Sequence, residues 1–114
     1  MSYLDGLFIS REMDEIEFLQ QKVIQQSFFA DQSFDQENTI EYLHTLYALL
    51  EKQHTVYFRL TLTDDPAAIE LKERLEEAAE LMGMPDGMTV NEFYMDMKEE
   101  VKAELRDLTG EDIN

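Results

Sequence analysis

The two histidines of the chain each stand three residues after a glutamate, as Glu41-x-x-His44 and Glu51-x-x-His54. On a helix that spacing puts a carboxylate and an imidazole on one face, the ligand pair that di-metal helical bundles take from two different helices. Here both pairs fall in one continuous apolar stretch, ten residues apart. At 1.5 Å per residue that is about 15 Å along an axis, too far for one di-metal centre within a monomer. The pairs meet only across an antiparallel dimer of the same helix. Glu41 falls on a polar arc and His54 in an apolar stripe, so the two pairs also face different ways. The pattern favours a buried His54 hydrogen-bonded to Tyr47, Tyr57 or Gln53, an exposed His44, and no metal. Glu41, His44, Glu51 and His54 are the candidates should a metal bind.

Other catalytic templates are missing from the sequence. With no cysteine there is no disulfide, thiolate zinc site or cysteine nucleophile, and a reducing compartment is compatible. There is no G-x-S-x-G elbow, phosphate-binding glycine loop, H-E-x-x-H or EF-hand pattern. Carboxylates are abundant but have the distribution of surface charge. The chain is expected not to be an enzyme and to need no cofactor.

The histidines must be positioned by the stretch from Glu37 to Leu62, which has no Gly or Pro. At helical spacing Ile40, Leu43, Tyr47, Leu50, His54 and Tyr57 form one stripe, with Tyr42, Leu46, Leu49, Val56 and Leu60 beside it. Glu41, Thr45, Lys52, Thr55 and Arg59 are left on a narrow polar arc. A surface helix needs an apolar arc of roughly 100°, and this one has about twice that, so it is expected to be a central helix covered on two sides.

Around it the chain reads as three more helices. The first is predicted over 10–29, capped by Ser10 and acidic in its opening turns, with Ile9, Met13, Ile16, Val23 and Ile24 facing inward and Leu19 at the margin. Phe18 and Phe29 point away from that stripe; they mark either a wide or frayed helix or a partner-binding surface. Residues 30–36 read as a connector, with Ser33 and Gln36 at capping-box spacing and Asp35 as a competing cap. The central helix is predicted over 35–61. Thr63-Asp64-Asp65-Pro66 then marks a boundary, with Pro66 at the first helical position and Asp65 or Asp64 as cap.

The third helix is predicted over 66–82, packing through Ala68, Leu71, Leu75, Ala78, Ala79 and Met82, and ending at Gly83 before Pro85. Thr89 and Glu92 make a capping box, and Met88 with Phe93 a hydrophobic staple, so the fourth helix is predicted over 90–108. Val90, Tyr94, Met97, Val101, Leu105 and Leu108 give it a narrow seam. Lys98, Lys102 and Arg106 form a basic row on its flank, read as an ordinary solvated face. Residues 110–114 read as a tail. Several of the seven methionines gather around the third connector, where core filling and an adaptable binding surface explain them equally well.

A chain of 114 residues with seven Phe, five Tyr, four Gly and two Pro suits one packed helical domain spanning 1–114. The fold class expected is all-α, a four-helix bundle-like domain with a long central core helix. A net charge of −17 disfavours free nucleic acid and anionic membrane as partners. No basic leader followed by an apolar run opens the sequence, and no segment reaches 18 apolar residues, so a cytoplasmic protein is expected. Apolar surface on both flanks of the central helix, with Phe18 and Phe29 unaccommodated, points to a homodimer.

At Glu51-Lys52-Gln53, Tyr57, Arg59-Leu60, Leu62 and Asp64-Asp65-Pro66, and on through Lys72-Glu73 to Gly83 and Pro85, the chain resembles a family of short uncharacterised helical proteins from cyanobacteria and tailed phages of marine bacteria. Glu12-Met13, Glu15-Ile16 and Leu19-Gln20 resemble that family's first helix, so the likeness covers roughly residues 8–97. The resemblance implies a phage or host-cytoplasm setting and no activity. This chain is more acidic than the family pattern toward its C-terminus. Together these readings lead to a non-enzymatic helical interaction protein, a phage structural, assembly or regulatory accessory, with an unidentified protein partner. The alternatives are an acidic nucleic-acid mimic that blocks a DNA-binding protein, and a small metal-binding protein using the Glu-x-x-His pairs.

Overall fold

The computed structural model describes the backbone of residues 3–33, 36–63 and 65–110, and the side chains of 10–27, 36–63 and 65–110. Within them the chain is all-α, forming α1 (Tyr3–Ser33), α2 (Gln36–Leu60), α3 (Pro66–Leu81) and α4 (Val90–Thr109), with no strand. Asp35, Asp64 and residues 111–114, and the side chains of Ile9 and Phe29, lie outside the described residues.

Local chemistry sets most helix ends. Asp65 starts α3: its Oδ1 accepts from the Ala67 N–H at 2.8 Å, while its own N–H donates to Thr63 Oγ1 at 3.2 Å. Gly83, at φ +102°, closes the other end, a conformation that costs glycine nothing. Its N–H and that of Met84 donate to the carbonyls of Glu80 and Ala79 at 3.0 and 3.1 Å, so carbonyls otherwise orphaned at a helix end are satisfied. Thr89 Oγ1 accepts from the Glu92 N–H at 3.1 Å to begin α4, and Gly110 ends it at φ +74°.

The first helix departs from expectation. It begins seven or more residues before Ser10 can cap it, at Tyr3, and continues through Ser33, so Ser10 is an interior residue and 30–33 are helix rather than connector. The extra turns contain no proline, and Gly6 alone, at about 1 kcal/mol, does not stop a helix. At 31 residues α1 is therefore longer than α2, at 25. It would span about 46 Å at 1.5 Å per residue, matching the longest dimension of 45 Å.

Packing converges on α2, which approaches α1, α3 and α4; α3 also meets α4, whereas α1 approaches α2 alone among the described residues. Leu50 of α2, Ala68 and Ala79 of α3, and Tyr94 and Leu105 of α4 are wholly buried. The alanines let α3 lie close to its neighbours. Two side chains sit against expectation. Thr45, placed on the polar arc, is buried and returns its hydroxyl proton to the Glu41 carbonyl at 3.0 Å. Ile24, placed in the inward stripe of α1, is 69% exposed, because no third helix covers that side of α1.

Candidate functional site

The Glu-x-x-His pairs do not converge. Glu41 and His44 are exposed, and Glu51 lines a shallow pocket between α1 and α2 with Glu12, Ala48, Lys52 and Thr55. His54 lies on a different flank and meets α4: its Nε2 is 3.2 Å from Asn91 Oδ1, and its ring stacks on Tyr94. The expected partners Tyr47, Tyr57 and Gln53 are thus replaced by Asn91, and the ring is half-buried rather than buried. Burial, and secondarily the Lys98 ammonium, lower its pKa against the opposing hydrogen bond to Asn91 Oδ1. Among the described residues, no three His, Cys, Asp or Glu side chains gather where they could hold a metal ion.

A more developed concavity than the one beside Glu51 lies elsewhere among the described residues. The backbones of α1 and α3 each pack on α2 but stay apart from one another, and a cleft lined by side chains of both runs between them. One part, about 450 Å³, is lined by Met13, Asp14, Ile16 and Glu17 of α1 and by Arg74 and Leu75 of α3. The next, about 270 Å³, is lined by Val23 and Ile24 of α1, Leu46, Leu49 and Gln53 of α2, and Leu81 and Met82 of α3. Gln20 and Ala78 border both, so the two parts are continuous. The second part is apolar apart from Gln20 and Gln53. At its lip Ile24 is 69% and Leu81 89% exposed. Gln53 is 1% exposed, and neither its Oε1 nor its Nε2 has a hydrogen-bond partner. Such a group is expensive to leave unpaired.

Phe18, predicted to face a partner, is 65% exposed, on an α1 surface beside Gln21, Lys22 and Gln25 that does not line the cleft. Phe29 falls outside the described side chains. Sequence reasoning passed over Phe58, Leu62, Ile69 and Leu81 as exposed apolar residues; Met95, one of the methionines grouped around the third connector, is exposed as well. For Phe58 the signal was present, since it belongs to neither apolar stripe of α2. The cleft itself had no such signal: periodicity says which face of a helix is apolar, not which neighbours leave a gap.

Charge ties the same elements together. Lys52 Nζ is 2.7 Å from both Glu12 Oε2 and Glu15 Oε2, clamping α2 to α1. On the basic flank of α4, Lys102 is 3.8 Å from Glu99 and lies over the Tyr47 ring at 5.7 Å. No helix among the described residues is long and apolar enough to cross a membrane. Comparison with protein-family models, with curated proteins and with solved structures finds no match for the chain.

Proposed function

We propose that this is a non-enzymatic helical interaction protein, acting as a homodimer that docks a further protein, with neither nucleic acid nor membrane as its target. The observation that carries the reading is the apolar cleft between α1 and α3, with Ile24 and Leu81 standing exposed at its lip. Apolar side chains that line a concave surface and stand exposed at its rim gain by leaving water when a complementary apolar surface covers them. The exposed Phe18 on the opposite side of α1 is the proposed dimer contact, and α2 is the central helix that holds both surfaces in place. The resemblance to cyanobacterial and phage proteins puts this role in a phage or its host's cytoplasm, as a structural, assembly or regulatory accessory.

Self-repulsion at −17 per chain opposes dimerisation, so the contact is apolar and strengthens modestly with salt. Light scattering at micromolar concentration is expected to give about twice the 13.4 kDa chain mass, and Phe18→Asp to shift it toward monomer. A wild-type monomer persisting at high concentration and about 0.5 M salt, where charge is screened, would overturn the dimer.

A further inference from the structure

We propose that the cleft between α1 and α3 is a docking groove for a basic amphipathic helix of a partner protein. This rests on the interaction reading above and gives its partner a chemistry.

The groove has the length of such a ligand. From Met13 to Ile24 it borders eleven residue steps of α1, about 16 Å or three helical turns. A helix seated there meets an apolar floor of Leu46, Leu49 and Ala78, the surface that suits side chains repeating at i, i+3, i+4 and i+7. Gln53 adds a second, independent feature. It lines the same groove, is almost wholly buried, and offers an unused donor and an unused acceptor. One polar side chain within the ligand's apolar stripe satisfies it.

Charge selects among occupants. Asp14, Glu17 and Arg74 line one end of the groove, and outside its lining α3 adds Glu70, Glu73, Glu76, Glu77 and Glu80 against Lys72, so the surroundings are acidic on balance. A second copy of the chain brings another −17 to this surface. A helix with Lys and Arg beside its apolar stripe instead meets opposite charge, which steers its approach and fixes its orientation.

The test uses a fluorescein-labelled helical peptide of about four turns built from Leu and Lys at amphipathic spacing, against a scramble of identical composition. Fluorescence anisotropy is expected to show the amphipathic peptide binding at least about tenfold more tightly than the scramble. Ile24→Asp and Leu81→Asp should each weaken it about tenfold, although both add negative charge that favours a cationic ligand. Phe58→Asp, outside the groove, should not weaken it. A peptide with one Asn replacing a stripe leucine should gain affinity for the wild type relative to Gln53→Leu. Equal binding of peptide and scramble, or indifference to Leu81→Asp, would show attraction by charge alone and overturn the groove. Binding that appears only on dilution to monomer would mean a second copy fills the cleft, and also overturns it. The dimer reading fails separately: peptide binding by a wild-type protein that is monomeric throughout leaves the groove standing and removes the dimer.

Discussion

The imidazole of His54 on α2 lies against the phenol of Tyr94 on α4, ring centroids 5.7 Å apart and planes 26° from parallel. The site favours an uncharged ring: burial and then Lys98 disfavour the imidazolium, and Asn91 only partly offsets them. A histidine whose pKa is lower folded than unfolded contributes stability above its unfolded value near 6.5 and loses it as pH falls through the folded value. The urea midpoint of the wild type is therefore expected to drop between pH 7.5 and pH 5.5 by more than that of His54→Gln, with exposed His44→Gln behaving like wild type. Identical pH profiles for His54→Gln and wild type would refute the assignment.

Lys52 joins α2 to α1 through Glu12 and Glu15, and those carboxylates raise its pKa above 10.5. Lys52→Met leaves two acids facing one another across a partly solvated contact and should cost about 0.5–1 kcal/mol in urea denaturation near pH 7. The sign of the shift places this contribution fully below pH 10.5 and removes it as pH rises through the higher folded value. The gap between variant and wild type should thus close in strongly alkaline buffer. A gap that stays constant with pH would mean the lysine acts through packing.

Asp65→Ala should destabilise by about 0.5–2 kcal/mol, because the Ala67 N–H loses its acceptor at the start of α3. Asp65→Asn keeps an oxygen in the same place and should restore most of the loss in the same thermal melts.

Ala79 is wholly buried at the face where α3 meets the rest of the bundle. Ala79→Leu should cost about 1–3 kcal/mol by forcing the helices apart, whereas Ala103→Leu on the exposed side of α4 should be close to neutral. Equal effects of the two would contradict the tight seating of α3.

The features legible in the sequence were those decided within a few residues. The Thr89 cap, the Asp65-Pro66 start and the Gly83 stop need only their own neighbours, and all three form. Ala68, Leu75 and Ala79 likewise followed from spacing, since one helix face suffices to place them. His54 found Asn91, 37 residues away, and no local rule pairs them. Ser10 has the chemistry of a cap, yet residues 3–9 contain nothing that breaks a helix, and α1 runs past it to Tyr3. The orphaned amide of Gln53 and the exposure of Ile24 both depend on a neighbour that α1 and α3 do not share, a fact of arrangement rather than of composition.

That the backbone of α1 approaches α2 alone, through the most extensive helix contact among the described residues, leaves one seam to carry its whole attachment. Anything that loosens that seam, a change of charge at Lys52 or of volume at buried Ile16, acts on α1 with nothing behind it, whereas a fault at the smaller contact between α2 and α3 is backed by the one that α3 makes with α4.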